Sequence, residues 1–297
     1  MESPTHHLRE IVSLIVAGAL KKYKIDAGRA EAIVTQTIGK YPKFLQLLQA
    51  EQSLKKIMGS RLYQEVYRES RHRIYYALRH YTTDSEVQKS LIEALKNVSS
   101  SSPLSAYRSM IAQLAQTHVS VRERCNSPEA LYTRIFEFIG EPGSIIDVGC
   151  GMHPLVFPFE THGKSIHCYA ALDKEPLCIE ALCEYSRLAF PGILRPLHWN
   201  IKQKWGCILE SVNIERFDTA FLMKLVPVVS RIERELIHIL LQVPARRWVI
   251  TGSRVSMTRH QPIEGRERRI INAFIDESGK TIMGEFLTDD EFGFVIE

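Results

Sequence analysis

Residues Ser144 to Leu155, reading S-I-I-D-V-G-C-G-M-H-P-L, constrain this chain more than any other stretch. Ile145, Ile146 and Val148 form a β-branched run suited to a strand buried on both faces. Gly149 and Gly151 follow as G-x-G, where the backbone can turn tightly and approach a neighbour without a Cβ in the way. A strand that turns through glycines into a helix is the nucleotide-cradling element of a doubly wound α/β sheet.

A dinucleotide site would continue to a third glycine, and Pro154 stands there, so nicotinamide chemistry fits poorly. The D-x-G-x-G form suits S-adenosylmethionine, a ligand with no phosphate that needs close backbone approach more than a complete anion nest. An ordinary glycine turn after a core strand is the alternative when the motif is taken alone. Two further strand ends add weight. Ile166 to Leu172 runs into Asp173, where a carboxylate can accept ribose hydroxyls or merely cap the next helix. Ile193 to Leu197 leads to Trp199 and Asn200, an aromatic face and an amide placed where adenine could stack and pair. Thr219 to Met223, Trp248 to Thr251, and a hairpin-like pair over 282–287 and 292–296 complete the set. This order predicts a Rossmann-like, mostly parallel sheet whose carboxyl edge carries Gly149, Asp173, Asn200 and Lys224.

The front of the chain is different. From Leu8 to Lys96 apolar residues recur at helical spacing, as in Ile11, Leu14, Ile15 and in Leu54, Ile57, Met58, Leu62, Tyr63, with Asp26 and Asp84 as caps. Ser99 to Pro103 reads as a linker, giving an all-helical domain over 1–104 and an α/β domain over 105–297. Residues 1–104 carry 16 Lys and Arg against 10 Asp and Glu, whereas 105–297 carry 22 against 24. The basic surplus therefore belongs to the helical part, which suits a polyanionic partner or simply a solvated lysine-rich face. Arg61, Tyr63, Tyr67, Arg68, Arg71, Arg73, Tyr75, Tyr76, Arg79 and Tyr81 interleave guanidinium and phenol groups that could meet phosphate and stacked bases, with about half the tyrosines needed for the helical core. The apolar run Ile11 to Leu20 is too short to span a bilayer. The six cysteines show no C-x-x-C pair or zinc spacing, so a reduced, cytoplasmic chain without a metal site is expected. Cys150 lies inside the loop that must hold a cofactor, which argues against a nucleophile.

Four stretches together resemble the FmrO, or Arm/Rmt, family of small-subunit rRNA methyltransferases. H-V-S-V-R-E-R at 118–124 is similar to the family's H-x-S-[ST]-[RK]-E-R segment, and I-I-D-V-G-C-G-M-H-P-L at 145–155 to its glycine loop. F-D-T-A-F-L-M-K-L-V-P at 217–227 resembles its K-x-[LV]-P strand end, and Ser253 with Arg254 its Thr/Ser-Arg pair. The resemblance covers residues 105–297 and, more loosely, the front. It implies a class I Rossmann-like methyltransferase that uses S-adenosyl-L-methionine to methylate guanine N7 in the decoding site of 16S rRNA within the 30S subunit, conferring aminoglycoside resistance, as a monomer without membrane attachment. It also implies a cofactor site drawn from His118, Ser120, Arg122, Arg124, Asp147, Gly149, Gly151, Asp173 and Asn200, in which Arg122, with Arg124, pairs with the methionine carboxylate. Asn200 stands where the family has an acid, and H-Q-P-I-E-G-R-E-R-R at 260–269 departs from its glycine- and lysine-rich loop.

The residues support an N7 target separately. No D/N-P-P-Y motif for exocyclic amines and no Pro-Cys nucleophile is present. Guanine N7 has a lone pair and no proton to lose, so alignment and desolvation suffice. Lys224 and Arg254 are the candidates to hold the target nucleotide. The alternatives are a solvent-facing strand end for Lys224 and a salt bridge to Glu264 or Glu267 for Arg254. Two other readings stay open: a methyltransferase for another RNA site or a small molecule, and a ribosome-binding module without activity.

Overall fold

The computed structural model describes residues 4–50, 53–79, 85–118, 121, 124, 128–232, 234–256 and 261–297. The chain forms two compact units, one from residues 1–81 with 255–261 and one from 82–254 with 262–297.

In the first unit α1 (Pro4–Leu20), α2 (Ala27–Gly39), α3 (Pro42–Gln49), α4 (Leu54–Gly59) and α5 (Arg61–Arg79) share one apolar core. Asp26 caps α2, accepting from Arg29 N at 2.8 Å. Ile11 and Ile15 are fully buried, but Leu14 is turned outward. On α5, Tyr63, Tyr67 and Tyr75 pack in or on this core, with Tyr63 stacked on Tyr67 at 6.0 Å and Arg71 over the Tyr67 ring at 5.4 Å. These three phenols are core residues rather than a platform for bases; Tyr81 and the side chains of Tyr76 and Arg79 lie outside the described residues.

The second unit is built on a seven-stranded sheet: β1 (Ser144–Val148), β2 (Cys168–Asp173), β3 (Leu194–His198), β4 (Phe217–Leu222), β5 (Ala245–Ser253), β6 (Ile282–Leu287) and β7 (Glu291–Ile296), in the order β3-β2-β1-β4-β5-β7-β6. All neighbours are parallel except β7, which runs antiparallel to both β5 and β6. Alternation along β1 sends Ile145 into one core and Ile146 and Val148 into the other. The first face is covered by α6 (Ser85–Lys96), α7 (Arg108–Thr117), α8 (Pro128–Ile139) and α9 (Pro176–Ala189). The second is covered by α10 (Trp205–Val212), α11 (Leu225–Ile232) and α12 (Glu264–Ser278). Pro196 sits in β3, at an edge where a missing N–H is tolerated.

The expected boundary at residue 104 is too late. Ile92 and Leu95 of α6 bury in the core beside the sheet, Lys96 Nζ reaches Glu180 Oε1 at 2.6 Å, and Arg187 donates to Leu95 O at 2.9 Å. The Ser99 to Pro103 stretch is therefore a loop inside the larger unit, because the apolar face before it belongs to the α/β core. The segment over 260–269 is also mostly not a loop: from Glu264 onward it is helix α12, whose first turn carries Glu264 and Glu267 where carboxylates favour a helix start. Among the described residues no helix is long and apolar enough to cross a membrane.

All three tryptophans, Trp199, Trp205 and Trp248, lie in the larger unit, so their fluorescence follows its unfolding alone. Leu95→Ala should lower the urea stability read by tryptophan emission by about 2 to 5 kcal/mol. An unmoved transition would place α6 with the front unit instead.

Candidate active site

β1 lies between β2 and β4, where the chain reverses direction across the sheet, so a crevice opens at the carboxyl ends of these strands. Gly149 and Gly151 have φ of +67° and +53°, conformations that L side chains rarely adopt. A Cβ at Gly149 would lie 2.9 Å from Leu225 Cδ1, and one at Gly151 would lie 2.8 Å from the His118 ring. Gly151 is thus demanded by the packed His118 ring as well as by the turn, and Gly149 by the turn, since the Leu225 methyl can swing aside.

Asp173, at the end of β2, fastens the loop. Its Oδ2 accepts from Gly151 N at 2.7 Å and its Oδ1 from Glu175 N at 2.8 Å. Burial pushes its carboxyl up, against the pull of these backbone donors. Each oxygen keeps capacity for a further donor. Beneath the loop, fully buried Asp147 accepts through Oδ2 from Tyr169 OH at 2.9 Å and pairs with His153 Nδ1 at 2.6 Å. Tyr132 OH bonds His153 Nε2. Burial holds both phenols well above their usual range, so both stay protonated and Tyr169 donates to Asp147. Asp147 Oδ1 is buried with no partner. Cys150 is buried too, and its thiol is pushed far up by that burial, which keeps it protonated.

The strongest charges of the site meet at Glu291, the first residue of β7. Arg124 donates to it from both Nε and a terminal nitrogen, at 2.6 and 3.0 Å, and Lys224 Nζ stands 3.4 Å away. Burial alone would raise this carboxyl, but Arg124 and then Lys224 outweigh it and hold the group at about 2. Lys224 itself has φ +58°, a strained conformation for a side chain of its kind, and its N–H donates to Thr251 Oγ1 at 3.0 Å. His118, buried beside the glycine loop, is lowered to about 4 by burial and then by the Arg124 charge.

Several expectations change against this geometry. Gly149, Gly151, Asp173 and Lys224 do gather at the carboxyl edge, with His118 packed on Gly151. Arg124 is paired with Glu291 at 6% exposure. Asp147 supports the loop from below instead of facing a ligand. Trp199 is buried and stacked on Trp205 at 4.5 Å, so it offers adenine no open face. Asn200 is exposed and spends its Oδ1 on Lys202 N at 3.1 Å. Lys224 turns inward to Glu291, and Arg254 pairs with Glu264 at 2.9 Å while donating to the carbonyls of Thr288 and Asp289. Ser120 and Arg122 lie outside the described residues, as does Cys125. Glu291, Thr251, His153, Tyr132 and Tyr169 were not anticipated. Among the described residues no group of three or more His, Cys, Asp or Glu is placed to hold a metal ion.

The fold is that of a class I, Rossmann-like methyltransferase: the antiparallel β7 inserted between β5 and β6 sets it apart from the dinucleotide order. Among solved structures, the chain is similar to the 16S rRNA methyltransferase RmtF in complex with S-adenosyl-L-homocysteine (TM-score 0.56, 16% identity, covering 100% of this chain and 98% of that one). It is also similar to the 16S rRNA methylase RmtB (0.53, 15%, covering 96% and 98%) and to the 16S rRNA methylase ArmA (0.52, 22%, covering 63% and 89%). A 16S rRNA (guanine(1405)-N(7))-methyltransferase from Proteus mirabilis is 37% identical over 70 residues, 24% of this chain and 25% of that protein. The match therefore spans a quarter of that relative's length. No family model matches the sequence.

Two acid-side effects follow from the shifted groups. Between pH 6.5 and 4 the unfolded chain protonates His118 while the folded chain does not, so stability is full above 6.5 and falls through that window by roughly 3 kcal/mol. Glu291 adds a second loss as pH drops from about 4.5 toward 2, where the folded carboxyl at last takes a proton. Urea unfolding across this range should show the first loss reduced in His118→Gln; an identical slope would refute it. At neutral pH, Glu291→Gln should cost about 3 to 5 kcal/mol, because buried Arg124 and half-buried Lys224 lose their counter-charge.

Proposed function

We propose that this chain is an S-adenosyl-L-methionine-dependent methyltransferase that modifies guanine N7 in the decoding site of 16S rRNA, acting as a cytoplasmic monomer on the 30S subunit, with aminoglycoside resistance as the consequence. The observation that carries the reading is the carboxyl edge itself: the exposed Gly149 backbone beside an Asp173 carboxylate with spare acceptor capacity, at the reversal point of the sheet. The 70-residue likeness to a guanine-N7 enzyme supports the choice of acceptor atom.

Asp173 would take the ribose hydroxyls, the backbone at Gly149 and Gly151 would lie along the methionyl and ribose portion, and Arg122 would pair with the carboxylate. Asn200, at the end of β3, would meet the adenine edge through its amide. S-adenosylmethionine supplies an electrophilic sulfonium methyl when bound. The chain's own task is then to strip water from the guanine edge and hold N7 in line, a contribution of roughly 7 to 11 kcal/mol that leaves no need for a base. Lys224 and Arg254 stand at the ends of β4 and β5 beside that edge. In the proposed complex Lys224 shares its charge between Glu291 and the nucleotide, and Arg254 shapes the rim through Glu264 and the 288–289 carbonyls.

The helical unit would dock on folded rRNA by backbone charge. Residues 1–81 hold 14 Lys and Arg against 7 Asp and Glu, and Lys21, Lys40, Lys43, Lys55, Lys56, Arg61 and Arg68 are exposed.

Labelled cofactor offered with intact 30S subunits, naked 16S rRNA and free guanosine tests the reading. Methyl transfer to 30S, with borohydride and aniline cleavage at one guanine, is expected; transfer only to small molecules, or to no substrate, would overturn it. Asp173→Ala should weaken S-adenosylmethionine binding by about 1 to 3 kcal/mol in calorimetry. Reversing Lys43, Lys55 and Lys56 to Glu should reduce 30S methylation and flatten its salt dependence while leaving cofactor affinity unchanged. Full activity in that variant would reject the docking role.

A further inference from the structure

A cavity of about 390 Å³ opens on the first face of the larger unit, well away from the glycine loop. Its walls come from the turn before α7, the short helical turn Phe159–His162, and the last residues of α9. Asp173 lies just before α9 begins, and the cavity lies at that helix's far end, about 20 Å along its axis at 1.5 Å per residue.

Its chemistry is selective. Tyr107, Phe159, Tyr185 and Phe190 line it, with Phe159 stacked on Phe190 at 4.3 Å and Tyr185 edge-on to Phe190 at 5.5 Å. The Tyr107 hydroxyl is spent on Leu188 O at 3.1 Å. Burial, then Tyr107 and Glu160, push the Tyr185 phenol up, so it stays neutral next to that carboxylate. Glu129 and Glu160 are exposed at the rim, and no Lys, Arg or His is among the described lining residues. Aromatic walls rimmed by two carboxylates, with no cation among the described lining residues, attract a positive charge on an alkyl body, and the volume is that of a small-molecule site.

We propose that this cavity binds a small organic ammonium ion, its charge facing Glu129 and Glu160 and its alkyl groups lying on the rings. The site is separate from the methyl-donor pocket and does not depend on the function proposed above. The probe is choline, set against its uncharged isostere in which carbon replaces the quaternary nitrogen, titrated into the full-length protein with ligand-observed saturation-transfer NMR. Choline should bind saturably, and the isostere about tenfold more weakly. The double variant Glu129→Gln, Glu160→Gln, which alters only exposed side chains, should lose about tenfold of the choline affinity and none of the isostere's. Ala189→Trp, filling the cavity from the end of α9, should abolish binding of both, with its thermal melt confirming the fold. Equal affinity for the two ligands, absence of saturable choline binding, or choline binding kept in a folded Ala189→Trp protein would each overturn the proposal.

Discussion

One buried carboxylate organises the functional edge of this protein. Glu291 is 2% exposed and takes two cations, Arg124 from the segment before the sheet and Lys224 from the end of β4, while β7 itself is tied to β5 by the pairing of Glu291 with Ser253. Burying three charges costs several kcal/mol each, and such a knot is stable only when every partner is present. It therefore acts as an assembly check. Arg124, the strand ends and the C-terminal hairpin all take their places together, or the edge carries an uncompensated charge. The left-handed backbone of Lys224 is tolerated for the same reason, since Thr251 and Glu291 over-determine its position.

The glycine loop is held in a comparable way from the other side. Asp173 grips Gly151 from the end of β2, while Tyr132, His153 and Asp147 form a buried chain of hydrogen bonds under the turn. Every link but Asp147 Oδ1 is satisfied, which rigidifies the loop more than its sequence of small residues would suggest. Pro154 fits this arrangement: the helical turn His153–Leu155 that it stiffens fixes the ring of His153 under the strand.

The strands and the loop were legible in the sequence because short apolar, β-branched runs and glycine placement are local signals. Ile145 and Ile146 announce a doubly buried strand, and Asp173 falls one β-α-β step later. What local pattern could not reveal was commitment of polar groups over distance. Arg124 and Glu291 are 167 residues apart, and Glu291 stands in the run T-D-D-E-F with nothing to distinguish it from its acidic neighbours. Trp199 looked like an adenine platform because its partner Trp205 lies on the following helix, where stacking depends on how α10 folds back. The linker signal at Ser99 to Pro103 was real as a loop but silent on domain membership, which the burial of Ile92 and Leu95 decides.

The state of the acids at the edge bears on the proposed chemistry. Asp173 is raised by burial but has both oxygens engaged by backbone N–H groups, whereas Glu291 is held at about 2 by its two cations and is not suited to taking a proton near neutrality. His118 could serve only if reachable, and it is buried against Gly151 and lowered to about 4. A reaction that deprotonates an amine or hydroxyl acceptor would find little help from Glu291 or His118. Transfer to an aromatic ring nitrogen with an available lone pair asks for none, and places the whole demand on alignment and exclusion of water, which a rigid glycine loop between two buried polar anchors is built to meet.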